Sequence, residues 1–264
     1  MKNLFPFASI LLLLSSCLSH QEEANKLFEE GDYEGAAYHY EWALKFDPDN
    51  WHLLYNLAGC KEELGYYDEG IDLYRESLRL NNELIEAFLG RARCYWKKED
   101  LTSAIIDFSN VLKRDQNHFE AQYSRGKCYL QDSLYYRALL DFNKAINLNR
   151  AHVNSYYHRA IARATLKDNF GAINDMNYVI RSKENFSKAY FNRGIIYQRM
   201  NRFAEAINDF TRAIDLNFKN CDVYIRRGMC NLISGDPQKA CMDFKSASEY
   251  DKEQGTKAIM KFCL

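Results

Sequence analysis

The chain has 264 residues, with 35 Lys and Arg against 36 Asp and Glu, a formal charge of −1, and a hydrophobic share of 47%. A near-neutral balance without a basic stripe argues against a nucleic-acid binder, and an aromatic share of 14% supplies too much surface to bury for a disordered chain. Twelve Gly and three Pro are too little turn punctuation for a sandwich or barrel and suit an all-helical protein.

The apolar run from Leu4 to Leu14, broken by Pro6 and Ser9, is shorter than the roughly 17 to 25 residues a helix needs to cross a bilayer. With Lys2 before it and the small Ser15 and Ser16 after it, it has the layout of a secretory signal. Leu14, Ser15, Ser16 and Cys17 resemble the lipobox of bacterial lipoproteins. That resemblance implies that residues 1–16 are a signal peptide, and that Cys17 becomes the first mature residue and the lipid attachment site. Two or three acyl chains would give stable anchoring, since each buried methylene contributes about 0.8 kcal/mol. Loss of Lys2 with the signal leaves a mature charge of −2. Leu18 stands where an aspartate favours inner-membrane retention in some bacteria, so the resemblance places the protein in the cell envelope at the outer membrane, with the leaflet open.

From Cys17 onward the chain repeats every 34 residues without insertion or deletion. Position 8 of each row is small: Ala24, Ala58, Ala92, Gly126, Ala160, Gly194 and Gly228. Position 20 is small again, from Ala36 and Gly70 to Ala240. Position 24 is Tyr40, Tyr74, Phe108, Phe142, Met176, Phe210 and Phe244, and position 27 runs from Ala43 to Ala247. Spacings of 4 and 3 mark one face of a helix, and turn-like stretches such as "EGDY" and "SGDP" separate the two clusters. Each row therefore reads as two helices and a tight turn. A single hairpin cannot bury such a face, so the rows must stack.

These columns, with Tyr, Phe or Leu at position 17 in most rows, resemble the tetratricopeptide repeat. The departures are a terminal proline kept only as Pro48, Asn169 at position 17, and Lys61, Arg163 and Asn231 at position 11. The resemblance implies an all-α, right-handed superhelical solenoid of seven repeats, 17–50, 51–84, 85–118, 119–152, 153–186, 187–220 and 221–254. Residues 255–264 read as the end of a C-terminal capping helix, with Ala258, Ile259 and Phe262 covering the exposed end of the stack.

Four of the eight cysteines, Cys60, Cys94, Cys128 and Cys230, share position 10. Packed helices stand at least about 8 to 10 Å apart, beyond the roughly 7 Å at which a bridge can close, so these four read as buried packing residues. One bridge among Cys221, Cys241 and Cys263 is left open. Position 7 carries Arg91, Arg125, Arg159, Arg193 and Arg227, and position 23 carries Asp107, Asp141, Asp175, Asp209 and Asp243. Both lie beside the packed faces, where an unpartnered Arg is costly, so the columns predict an internal ladder of Arg–Asp pairs that fixes the register of stacking. A row of anion sites is the competing reading. His118 and His152 sit one repeat apart with no third ligand, and HExxH, CxxC, GxGxxG and GxSxG patterns are missing. No metal, cofactor, small-molecule substrate or enzymatic activity is expected.

On the first helix of each row, positions 2, 5, 6, 9, 12 and 13 lie opposite the packed face, and the resemblance implies that they line the concave groove. Position 5 gives a strip of Tyr55, Leu89, Tyr123, Tyr157, Phe191 and Ile225. It would either pack between repeats or face a ligand. Repeats one and two put Glu22, Glu29, Glu62 and Glu63 on this face, whereas repeats three to seven put Arg93, Lys97, Lys127, Lys188, Arg199 and Arg226 against Glu86, Glu120 and Asp222. Such a division would orient a bound segment. The expectation is a lipid-anchored scaffold binding a protein or peptide in its groove. A module that stacks glycan on the aromatic strip is the alternative.

Overall fold

The computed structural model describes residues 19–263, and every regular element among them is a helix. The expected signal segment and Cys17, the expected lipid-attachment residue, lie outside the described residues.

The chain divides into two compact units, residues 1–132 and 133–264. Among the described residues the first holds α1 (19–30), α2 (Tyr33–Leu44), α3 (Trp51–Glu63), α4 (Tyr67–Leu80), α5 (Ile85–Lys97), α6 (Leu101–Arg114) and α7 (Phe119–Gln131). The second holds α8 (Tyr135–Leu148), α9 (Val153–Thr165), α10 (Asn169–Ser182), α11 (Ser187–Arg199), α12 (Phe203–Asp215), α13 (Cys221–Ile233), α14 (Pro237–Tyr250) and α15 (Lys252–Phe262). In each unit the helices of a hairpin pack on each other, and the second helix of one hairpin packs on the first helix of the next. This is an all-α tetratricopeptide-type solenoid.

The turn inside each hairpin has one conformation. Position 15 of every row adopts positive φ: Gly31, Gly65, Glu99, Ser133, Lys167, Asn201 and Gly235. The amide that follows bonds back to the last turn of the first helix, as Asp32 N to Leu27 O at 2.9 Å and Asp168 N to Arg163 O at 2.9 Å, which is the Schellman closure. Position 16 then caps the second helix: the carboxylates of Asp32, Asp100, Asp168 and Asp236 accept from the amides of Gly35, Ser103, Gly171 and Lys239. A left-handed conformation costs a non-glycine residue about 1 to 2 kcal/mol. Lys167→Gly is therefore expected to raise unfolding stability by about 1 kcal/mol, read as a later urea midpoint at constant slope.

Small residues at position 8 admit the aromatic of position 24. A Cβ on Gly194 would lie 2.7 Å from the ring of Phe210, and one on Gly228 would lie 2.6 Å from that of Phe244; both rings are fully buried. The first two repeats use tyrosine here and must satisfy its hydroxyl. Tyr40 donates to Asn25 Oδ1 at 2.6 Å and Tyr74 to Glu62 Oε2 at 2.8 Å.

Cys60, Cys94, Cys128 and Cys230 are free and fully buried, whereas Cys221 is half-exposed. Burial pushes the first three thiols up to about 12 and Cys230 up to about 11. An unfolded thiol ionises near 8.5, so the folded chain holds more protons above that point and loses stability as pH rises from about 9 to about 12. Iodoacetamide at pH 8 is expected to modify Cys221 while these four stay unmodified until the chain unfolds, a pattern read by peptide mass mapping.

The bridge that the sequence leaves open is Cys241–Cys263, with Cα atoms 5.7 Å apart. It ties α14 to the end of α15. The last helix begins at Lys252, inside the row assigned to the seventh repeat, and ends at Phe262. Phe262 packs tilted against Phe244, with ring centroids 5.7 Å apart, and α15 crosses α14 so closely that a Cβ on Gly255 would lie 2.3 Å from the backbone of Ser248.

Candidate binding face

The Arg and Asp columns meet within one repeat. Arg91 forks onto Asp107 at 2.7 and 2.9 Å, Arg159 onto Asp175 at 2.9 and 2.7 Å, and Arg193 onto Asp209 at 2.8 and 2.7 Å. Arg227 does the same on Asp243 at 2.6 to 3.1 Å. The four aspartates are buried. Burial pushes Asp209 upward, and Arg193 opposes that shift.

These forks are sixteen residues apart along the chain and join the two helices of one hairpin, so the Asp column does not by itself set the register between hairpins. The inter-repeat link is the remaining guanidinium nitrogen, which donates to position 25 of the preceding repeat. Arg125 reaches Ser109 Oγ at 3.0 Å, Arg159 reaches Asn143 Oδ1 at 2.9 Å, Arg193 reaches Asn177 Oδ1 at 2.6 Å and Arg227 reaches Thr211 Oγ1 at 3.1 Å. Ser109, Asn143, Asn177 and Thr211 escape a residue-identity search because they share only the ability to accept a hydrogen bond. Arg125 lies in the first unit and the buried Asp141 in the second.

The position 5 strip is not uniform. Leu89 is a correction: it is 8% exposed and belongs to the cluster that contains Tyr74, Phe88 and Phe108. Leucine is shorter than the aromatic side chains at this position in neighbouring repeats, and the surrounding cluster covers it. Tyr55, Tyr123, Tyr157, Phe191 and Ile225 are half-buried. Tyr55 lies 5.9 Å from the Tyr74 ring, Tyr157 lies 4.8 Å from Phe186, and Phe191 lies 4.8 Å from Phe218 and 5.9 Å from Phe210. The Tyr157 hydroxyl accepts from Asn192 Nδ2 at 2.9 Å. One ring face or edge thus supports the neighbouring element, and the rest remains accessible.

Charges on the same face are partly neutralised. Glu62 does not contribute to an open acidic end: Arg93 Nε and Nη2 hold it at 2.5 and 3.0 Å, and Arg93 Nη1 reaches Glu120 at 3.4 Å. Arg226 pairs with Asp222 at 2.8 Å and donates to Gln198 at 3.3 Å. Arg199, exposed, donates to Ala164 O at 3.5 Å, and Lys188 is exposed.

Lys127 differs. The step from position 12 of one repeat to position 9 of the next, which brings Glu62 to Arg93, brings Trp96 to Lys127. Its Nζ stands 4.0 Å above the Trp96 ring centroid and 5.4 Å above that of Tyr123, and Lys97 Nζ lies 5.7 Å from the Trp96 centroid. Trp96 is fixed by donation from Nε1 to Gln131 Oε1 at 2.5 Å. Neither lysine has a carboxylate within ion-pair distance among the described residues. Burial lowers the Lys127 ammonium below its ordinary value, and Lys97 adds to that lowering. The result is a half-buried cation, held by two rings, without an anion.

His118 and His152 stand at helix starts. His118 Nδ1 accepts from Ala121 N at 3.3 Å, and His152 Nδ1 lies 2.8 Å from Ser155 Oγ.

Models described as tetratricopeptide repeat match residues 52–84, 89–152 and 187–220, and one described as TPR repeat matches 24–59. The chain is 34% identical to Protein PHOX1 of Arabidopsis thaliana over 110 residues, which are 39% of this chain and 15% of that protein. It is 31% identical to DnaJ homolog subfamily C member 7 of Homo sapiens over 100 residues, 36% of this chain and 20% of that one. The matched stretches are thus a small part of these relatives. In fold, it is similar to a tetratricopeptide repeat protein from Parabacteroides merdae, with 24% identity, 95% and 100% of the two chains covered and a TM-score of 0.68. YrrB, whose structure is described as a TPR protein with an unusual peptide-binding site, aligns at 18% identity over 72% of this chain and 98% of its own, with a TM-score of 0.62.

Proposed function

We propose, from the premise that this chain belongs to the tetratricopeptide-repeat family, that it is a non-enzymatic adaptor of the bacterial cell envelope, anchored through Cys17 and binding a protein segment on the face of its first helices. The observation that carries the binding role is the Lys127 site. A cation drawn out of water between Trp96 and Tyr123, with Lys97 beside it and no internal anion, is best satisfied by an acidic side chain flanked by an apolar one. The half-buried ring of Tyr55 supplies further partly dehydrated surface on the first unit, and Tyr157, Phe191 and Ile225 supply a comparable strip on the second.

The envelope location is supported by two independent features. One is the lipobox-like sequence ending at Cys17, and the other is the Cys241–Cys263 bridge, since disulfides persist in oxidising compartments outside the cytosol. No helix among the described residues is long and apolar enough to cross a membrane, so in this reading lipid alone provides attachment. The outer membrane is the proposed site because Leu18 follows the acylated residue.

Retention of solubilised envelope material on the immobilised chain tests the binding role. Bound protein is expected to fall at least tenfold, about 1.4 kcal/mol, in Lys97→Glu/Lys127→Glu, with the helical circular dichroism unchanged. Equal retention by the double variant would overturn the assignment of the face, and retention that survives protease treatment of the extract would favour glycan.

A further inference from the structure

The second helix of the first hairpin carries an aromatic strip beside its buried face. Ala36, Ala37, Tyr40 and Ala43 of α2 are buried, and Glu34, Glu41 and Lys45 are exposed. Between these two faces run Tyr38, Trp42 and Phe46, spaced by four residues along one side. Tyr38 is 63% exposed and Phe46, just past the end of the helix, is 43% exposed. Trp42 stacks on His20 of α1 at 3.8 Å and lies 4.5 Å from Phe46. His20 Nδ1 is in turn 2.7 Å from His39 Nδ1. The strip therefore borders the point where the chain enters its first helix.

No later repeat carries more than one aromatic residue at these three row positions. At the row position of Trp42 the later repeats carry Glu76, Asn110, Lys144, Tyr178, Arg212 and Ser246. The first repeat also lacks the Arg–Asp pair, with Glu23 and His39 in those places. A terminal repeat facing water is expected to present a polar outer surface. Here it presents indole, phenol and phenyl rings, the groups that settle at a membrane–water interface.

His20 is three residues from Cys17, and three extended residues span at most about 10 Å. An acylated Cys17 would thus hold the start of α1, and the Trp42 ring stacked on His20, close to the lipid surface. We propose that Tyr38, Trp42 and Phe46 rest in the interfacial layer of the bilayer that receives the Cys17 lipid, docking the first hairpin on the membrane. This rests on the lipoprotein reading above. Docking converts a flexible tether into a seated one, so that the first hairpin has a defined attitude to the bilayer.

The test uses the full mature chain purified from bacterial membranes, with acylation of Cys17 read by mass spectrometry. It is then reconstituted into phosphatidylethanolamine–phosphatidylglycerol vesicles whose acyl chains carry bromine, a short-range quencher of tryptophan emission. Quenching is expected in the acylated chain, lost in Trp42→Phe and kept in Trp96→Phe. An acylated chain that is not quenched, or quenching that persists in Trp42→Phe, would overturn the docking while leaving the anchor intact. An unmodified Cys17 would remove both the anchor and the docking. A change in Trp42 emission with protein concentration in detergent alone would assign the strip to a second copy of the chain instead.

Discussion

Replacing Asp175 with alanine is expected to lower unfolding stability by about 3 to 5 kcal/mol, the cost of leaving a buried charge without its partner. Asp175 serves two arginines: Arg159 holds both its oxygens, and Arg163 Nη1 adds a third bond at 2.9 Å. Alanine would leave Arg159, 14% exposed, without a carboxylate, and Arg163, 23% exposed, with only Asp168 at 3.5 Å. Urea unfolding followed by circular dichroism checks this, and Asp175→Ala/Arg159→Met should recover part of the loss because the double change removes a stranded charge along with its partner. An unshifted midpoint would mean that solvent screens the pair, and the ladder would then be decoration.

The second large effect concerns the C-terminal end. Cys263→Ser is expected to cost the cap about 3 kcal/mol, the loop-closure term for the 22-residue separation of the bridge. Gly255 fits against Ser248 and Phe262 against Phe244 with or without the bond, so α15 should still form but open far more often. In a stack where each element contacts only its neighbours, the loss should stay local. Hydrogen exchange is expected to accelerate in α15 and the facing side of α14 in Cys263→Ser, with exchange in α9 unchanged. A uniform acceleration across the second unit would show instead that the cap is part of one cooperative block.

Much of the architecture could be read in advance because it depends on side-chain volume. Ala or Gly at position 8 and a ring at position 24 are a direct record of two helices meeting with an aromatic wedge, as Gly194 and Phe210 are in the structure. Backbone geometry left a weaker trace. Gly31, Gly65 and Gly235 hint at a left-handed turn residue, but Glu99, Ser133, Lys167 and Asn201 adopt the same conformation without any compositional signal. Around Glu99, Lys167 and Asn201 the strain is offset by Schellman bonds, which no single residue reveals. Position 25 was hidden for a related reason: Ser, Asn and Thr differ in size and share only an acceptor oxygen.

The binding face was harder still, since its character depends on which residues adjoin across repeats. Read one helix at a time, Glu62 and Arg93 are two free charges; placed side by side they cancel. Lys127 gains its interest from the same adjacency, because Trp96 occupies the position that an acid fills one repeat earlier. Leu89 looked equivalent to its tyrosine counterparts until neighbouring side chains closed over it. For Glu62 and Lys127 the missing information was the three-residue offset between successive first helices, which the 34-residue period alone does not supply.

Site-specific photocrosslinking in living cells is the measurement that bears most directly on the central claim, that the face of the first helices grips a protein segment. A benzophenone amino acid at Tyr123 and, separately, at Tyr157 is expected to trap a discrete protein adduct, and the Tyr123 adduct should weaken when Lys127→Met is added. The same group at Tyr136, exposed on the outer side of α8, should trap none. Adducts from Tyr136 with none from Tyr123 or Tyr157 would place the binding surface on the second helices and contradict the account.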